Sequence, residues 1–302
     1  MSTVTVAPGR EHSAGLRVAM QRHPLGAFFV IAFAITWAYE IVVFGLLGAE
    51  TILLSIPATF GPAIAAVLVT HAVDGRPGLR SFLRRLVLWR VDVRWYLFAL
   101  VVMPTVAVAG YVFMPDAKQN VDGGALAIAG TYVSMLVILM LLGGGQEEPG
   151  WRGFALPRMQ ERWHPLKASV LLGVIWGVWH LPLFAFLNGY DNADPGFVNI
   201  AAMFLVFTAC YTVGLSVILA WLVNNARGSI LLATLAHGSV NAATNFAPET
   251  ALPLMVSFLA MGVLGLIVAV ATRGQLGYAG RHASGESLTT PARSRARVPA
   301  AS

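Results

Sequence analysis

Eight apolar stretches decide what this chain can fold into. They cover residues 25–48, 51–73, 95–115, 124–147, 167–187, 198–223, 228–247 and 252–272. Each reaches the ~20 residues that an α-helix needs to cross the hydrocarbon core of a bilayer. Only helices and closed barrels satisfy their own backbone N–H and C=O groups there. Of the 302 residues, 57% are hydrophobic and 11% charged, against about 25% charged in soluble domains. The expected fold is therefore all-α: a polytopic membrane protein of eight transmembrane helices. Two spans depart from plain apolarity. Residues 51–73 contain Pro57 and Gly61-Pro62, and 228–247 contain His237, Asn241 and Asn245.

The charges support this count. With the N-terminus inside, nineteen of the 20 Lys and Arg fall on cytoplasmic segments, and only Lys118 falls outside. The outer loops carry Glu50, Asp116, Asp122, Asp191, Asp194 and Glu249. Basic residues set the orientation of membrane proteins in this way. The chain is thus expected to be a multi-pass cell-membrane protein with both termini cytoplasmic. Its net charge of +6 reflects orientation and does not point to nucleic acid.

Three regions follow. Residues 1–24, with Arg10, Arg17 and Arg22, read as a polar cytoplasmic tail before a signal-anchor helix, since no small-residue cleavage pattern follows. Residues 25–272 form the membrane domain. Residues 273–302, rich in Gly, Ala, Ser and Arg, read as a disordered basic tail attracted to anionic lipid. Within the membrane domain, 77–90 place Leu79, Phe82, Leu83 and Leu86 on one helical face and Arg80, Arg84 and Arg85 on the other. That pattern predicts an amphipathic helix at the cytoplasmic interface. Residues 151–166 read as a second, shorter interfacial piece. Cys210, the single cysteine, sits in an apolar run and reads as a packing residue.

Ionisable residues inside membrane helices are costly, so each is a functional candidate. Glu147 and Glu148 stand side by side in "LLGGGQEEPGWRGF". On a helix they point about 100° apart and cannot share one face. Arg152 is four residues after Glu148, close enough to neutralise and orient it. Glu147 then faces elsewhere, and an unpaired carboxylate in a low-dielectric cavity suits a general base. His180 follows Trp176 by one helical turn in "WGVWHLP", with Trp179 beside it and Pro182 loosening the helix. The pair reads as a pocket wall or as core packing. His237 and Asn241, at i and i+4, are either polar glue between helices or donors aimed at one point of a cavity. Asn245 reads as glue, Glu40 as interfacial or structural, and His164, Asp191 and Asp194 as solvated. Glu147, His180 and His237 form a ligand set that zinc accepts, though nothing in the spacing requires a metal.

"EEPGWRG" resembles the E-E-x-x-x-R motif of the CAAX-protease-and-bacteriocin-processing (CPBP) family of intramembrane proteases. "WGVWH" is similar to that family's F-x-x-x-H motif, with Trp176 in the place of Phe, and "HGSVN" to its H-x-x-x-N motif. The three occur in the family's order, and the likeness covers about residues 120–250. The resemblance implies a catalytic cavity between central helices, open to the cytoplasm. It implies Glu147 as general base on a water, His180 positioning that water, Glu148 and Arg152 supporting, and His237 and Asn241 as the oxyanion hole. No cofactor is required on this reading; zinc is possible. For Glu147 to share a water with His180, the fourth span has to continue helically to about residue 156, with a kink at Pro149. The expected function is hydrolysis of a peptide bond in a membrane-associated protein or peptide. A non-catalytic bacteriocin-immunity or scaffold protein on the same fold is the alternative, and a transporter a third possibility.

Overall fold

The computed structural model describes residues 8–113, 124–187, 196–246 and 251–278. Among these residues the regular structure is all helical, with no strand. The helices are α1 (Pro8–Arg22), α2 (Pro24–Glu40), α3 (Gly61–Leu86), α4 (Val93–Leu97), α5 (Met103–Val108), α6 (Gly124–Leu142), α7 (Leu156–Gln160), α8 (Pro165–Trp179), α9 (Leu181–Phe186), α10 (Gly196–Val206), α11 (Val213–Asn225), α12 (Ile230–Thr244) and α13 (Ala251–Ala271). Several join end to end through π or 3-10 turns. Seven of the resulting helical segments are long and apolar enough to cross a membrane. The eighth apolar helix, α12, has 15 residues and a length of about 22 Å. It can be this short because most of it is buried against protein. Asp116, Lys118, Asp122, Asp191, Asp194, Glu249 and residues from 279 on lie outside the described residues.

Close helix approach builds the centre. In a bilayer, packing at small residues takes over the role that water-driven burial has in soluble proteins. A Cβ on Gly238 of α12 would stand 2.9 Å from the Met140 backbone of α6, and one on Gly173 of α8 would stand 2.6 Å from the Val213 Cα at the start of α11. Gly214 of α11 meets Met261, Gly262 and Gly265 of α13 with the same closeness, and Cys210 packs on Gly262. Thr212 and Ser216 hydroxyls donate to the carbonyls of Gly173 and Ser169 at 2.9 and 2.8 Å, tying α8 to the start and body of α11.

Four expectations change. The segment before residue 24 carries helix α1, whose Arg17 donates to the Ala72 carbonyl of α3. The helix expected over 77–90 is set off from the span by Gly75, whose φ 65° and ψ −163° are non-helical, but it ends at Leu86. Only glycine enters that backbone region readily. Arg85 does not share the charged face of Arg80 and Arg84. It lies three residues after buried Phe82 and seven after buried Gly78, which puts it on the inward stripe. Residues 151–166 are not an interfacial piece: Trp151 to Pro157, Met159 and Gln160 are buried, and only 161–164 are exposed.

Candidate active site

The site is built where α6 ends. The helix stops at Leu142, and Gly144 takes φ 112°, a conformation essentially reserved for glycine. A Cβ there would also stand 2.7 Å from His237 Nε2 and 2.8 Å from Asn241 Nδ2. Gly144 therefore serves twice, turning the chain and letting its backbone touch the histidine–asparagine face of α12. The expected kink at Pro149 is instead a break at Gly143–Gly144. Beyond it the helix resumes as a 3-10 turn at Gly145–Glu147, a π turn at Pro149–Ala155 and then α7. This places Glu147 and Glu148 inside the bundle. The turn is held by Gln146, whose Oε1 accepts from the Gly144 N–H at 3.0 Å and whose amide donates to the Thr59 hydroxyl. Beneath it, the buried Arg85 guanidinium donates to the carbonyls of Gly228, Gly153 and Arg152 at 2.9, 2.9 and 3.4 Å. Gly150 meets Pro62 with no room for a side chain.

The two glutamates have different neighbours. Glu148, fully buried, accepts on Oε1 from Arg152 at 3.2 Å and pairs with His237 Nδ1 at 2.8 Å. Glu147, 3% exposed, accepts on Oε2 from the indole N–H of Trp176 at 2.7 Å and of Trp151 at 3.3 Å. One carboxylate is therefore part of an ion cluster. The other is gripped on one oxygen by two neutral donors, and Oε1 remains for another partner. Trp176 links them, with the Arg152 guanidinium 4.5 Å above its ring and His237 edge-on at 5.2 Å.

Helix α8 ends at His180, whose Nδ1 pairs with the Trp176 carbonyl at 2.9 Å. A carbonyl can only accept, so Nδ1 carries the hydrogen and Nε2 of the neutral ring is an acceptor. Trp179 and Phe207 stand edge-on to the imidazole at 4.7 and 5.0 Å. Trp176 thus joins Glu147 to His180, through its indole on one side and its carbonyl on the other. Asn241 donates to the Gly143 carbonyl at 2.7 Å and accepts from the Tyr211 hydroxyl at 2.6 Å. Asn245 donates to the Asn241 carbonyl and stays on its own helix. His164 is exposed beside Gln275.

Trp151, Tyr211, Gly144 and Arg85 were not singled out from the sequence as parts of the site, and Glu40 was read as interfacial or structural. Glu40 is 3% exposed. The signal for Trp151 was present, since it lies four residues after Glu147. As for zinc, no three His, Cys, Asp or Glu side chains converge as a metal-binding group among the described residues. Glu147, His180 and His237 do not meet as a ligand trio, because Trp176 stands among them.

Residues 129–243 match the family described as type II CAAX prenyl endopeptidase Rce1-like. Over 203 residues the chain is 26% identical to CAAX prenyl protease 2 of Methanococcus maripaludis, covering 63% of this chain and 70% of that protein. The matched segment contains all three motifs, both ends of the Gly144 contact and the Trp176 link. Both likenesses support an endopeptidase that works in the membrane. Through residues 129–243, this chain is thus similar to the Rce1-like CPBP family of intramembrane proteases.

Proposed function

We propose that the protein is an intramembrane endopeptidase in which Glu147 activates a water molecule. The observation that carries this reading is the grip on Glu147. Two indole N–H groups hold Oε2, which orients the carboxylate and leaves Oε1 to take a proton from water. His180 Nε2 accepts the water's other hydrogen and aims it. The water oxygen bonds to the scissile carbonyl carbon, and the carbonyl oxygen becomes anionic. His237 faces that oxygen through Nε2. Because Nδ1 is committed to Glu148, an Nε2 donor requires hydrogen on both ring nitrogens, and the Glu148 carboxylate balances the charge. Asn241, held by Tyr211 and Gly143, adds the second donor. Fixed donors of this kind are effective because charge develops where they already point. As the C–N bond breaks, the proton on Glu147 passes to the departing amine, and the base is restored.

This chemistry uses no metal. Its substrate class is a membrane-associated protein or peptide, as the name of the Methanococcus relative suggests for that protein. The arginine face of α3, with Arg76, Arg80 and Arg84, lies against anionic lipid at a cytoplasmic surface, with both termini on that side. The test compares new protein termini in membranes carrying wild type, Glu147→Ala and His237→Ala at equal expression. Termini present only with wild type support the protease and name its substrates. Identical termini in all three would remove the catalytic reading and favour a scaffold or immunity role.

A further inference from the structure

Tyr211 lies outside all three motifs, yet it holds a residue of the third. It belongs to the π turn Phe207–Thr212, between α10 and α11, a local geometry frequent at functional sites. The Thr212 hydroxyl closes that turn, 3.0 Å from the Thr208 carbonyl and 2.9 Å from the Gly173 carbonyl of α8. Aromatic neighbours hold the buried phenol ring. Phe207 stacks on it at 5.5 Å and 24°, Phe258 of α13 stands at 5.1 Å and Trp176 at 6.4 Å. With the ring fixed, the hydroxyl has one place to reach, and Asn241 Oδ1 is there at 2.6 Å.

The groups around Asn241 leave its amide one orientation. The Gly143 carbonyl, 2.7 Å away, can only accept, so Nδ2 faces it. Oδ1 then faces Tyr211, and because Oδ1 can only accept, the tyrosine hydroxyl donates. Turned over, the amide would set Oδ1 against the Gly143 carbonyl, acceptor against acceptor with no hydrogen between them. The two contacts lie at opposite ends of the amide and together fix its plane. Either one alone would let it pivot. On its own helix, Thr244 and Asn245 donate to the Asn241 backbone carbonyl at 2.9 and 2.8 Å. The side chain therefore takes its aim from Gly143 and Tyr211.

An asparagine amide carries two donor hydrogens on Nδ2. Gly143 takes one of them. The other is the donor required where charge develops on the scissile carbonyl oxygen. We propose that Tyr211 is a positioning residue for the hydrolysis: its hydroxyl fixes the Asn241 amide so that an Nδ2 hydrogen, and not Oδ1, faces that oxygen. This deepens the reading of Asn241 as an oxyanion donor and rests on it. Tyr211 makes and breaks no bond and does not touch the substrate. Its hydrogen bond also strengthens the donor, because chained hydrogen bonds polarise one another in a low-dielectric interior. The two donors then have different supports. His237 is held by the Glu148 carboxylate, and Asn241 by a neutral phenol.

Tyr211→Phe removes the hydroxyl and keeps the packed ring. The first measurement needs no turnover. Protein isotopically labelled on its asparagine side-chain nitrogens, held in lipid nanodiscs, gives an NMR amide pair for Asn241, identified by its absence from Asn241→Ala. Y211F should shift that pair and speed its hydrogen exchange with water. An unmoved pair overturns the proposal. The second measurement is kinetic, on a substrate named by the comparison of termini. Asn241→Ala should cost about 100-fold in kcat. Y211F should cost about 10-fold, with KM little changed and thermal unfolding near wild type. In the Asn241→Ala background, Y211F should cost nothing further. An equal loss in both backgrounds, or a wild-type kcat in Y211F, would make Tyr211 a packing residue only. A wild-type protein that cleaves nothing would remove the protease reading, while the amide pair still shows whether Tyr211 sets Asn241.

Discussion

Helix α6 and the segment 143–160 that follows it are neighbours in the chain and opposites in design. The 19 residues of α6 are almost all apolar, and none is buried. In 143–160 only Gly143, Pro149 and Arg158 escape full burial, yet the segment contains two glutamates, two arginines and two glutamines. Apolar character is sufficient for α6, whose outward face meets lipid. The next segment gives its buried glutamates, Arg152 and Gln146 named partners, because a wholly unpaired polar side chain in that environment is costly. The boundary is the Gly143–Gly144 break. Substitutions should therefore have large and specific effects after residue 143 and small ones before it.

The sharpest test of that contrast is Glu147→Gln. The amide keeps the shape and can still accept from the indoles, but it cannot take a proton from water. General-base loss of this kind is expected to lower kcat by about 10³-fold, with thermal unfolding close to wild type. Turnover of a reconstituted substrate in proteoliposomes, beside a melting curve, measures both. Residual activity within tenfold of wild type would put the base elsewhere.

Gly144→Ala comes next. Its left-side φ is strained for alanine by about 1–3 kcal/mol, and its methyl would press on His237 Nε2 and Asn241 Nδ2. The variant should melt lower and lose most activity. Gly130→Ala within α6, where a Cβ meets nothing within 4 Å, should raise or preserve stability by comparison. Equal behaviour of the two alanines in a thermal melt would erase the proposed boundary.

The spans were legible because apolarity over ~20 residues is a one-dimensional signal. The pairing of Glu148 with Arg152, and the different neighbours of Glu147, were also legible, since the 100° offset and the i, i+4 spacing of Arg152 follow from helix geometry alone. Other features depend on how distant helices meet. Nothing local distinguishes Gly144, the residue that turns the chain, from Gly143 and Gly145. Arg85 looks like one more charge in an arginine run until packing shows which stripe of α3 turns inward. Tyr211 reaches Asn241 from 30 positions away. Pro149 misled in the opposite sense: it opens a helical turn, where a missing N–H costs nothing, and the kink falls at the glycines.

Trp176→Phe is a finer probe. Phenylalanine keeps the aromatic surface under Arg152 but removes the 2.7 Å donor to Glu147, leaving Trp151 at 3.3 Å. A hydrogen bond to a charged group contributes roughly 1.5–3 kcal/mol, which corresponds to about 10- to 100-fold in rate. The loss should fall on kcat, with KM little changed, because the indole aims the base and lies behind the carboxylate. A change confined to KM would mean that Trp176 lines the substrate path and that Glu147 is oriented by Trp151.

The smallest expected effect, and the one most able to break the comparison, is at the exposed face of α6. Val133, Val137 and Ile138 are exposed, so lipid can fit whatever apolar side chain replaces them. Val133→Leu combined with Ile138→Val preserves the apolar run and changes only shape. Activity should stay within about twofold, and stability within about 0.5 kcal/mol. A large loss would require that face to meet something more particular than lipid, either a second copy of the chain or the substrate's own membrane segment. Cross-linking from cysteines at Val133 and Ile138 would then tell these apart, since a self-adduct has twice the mass of the chain and a substrate adduct does not. A null result would confine specificity to the far side of Gly144, where the buried polar groups already demand it.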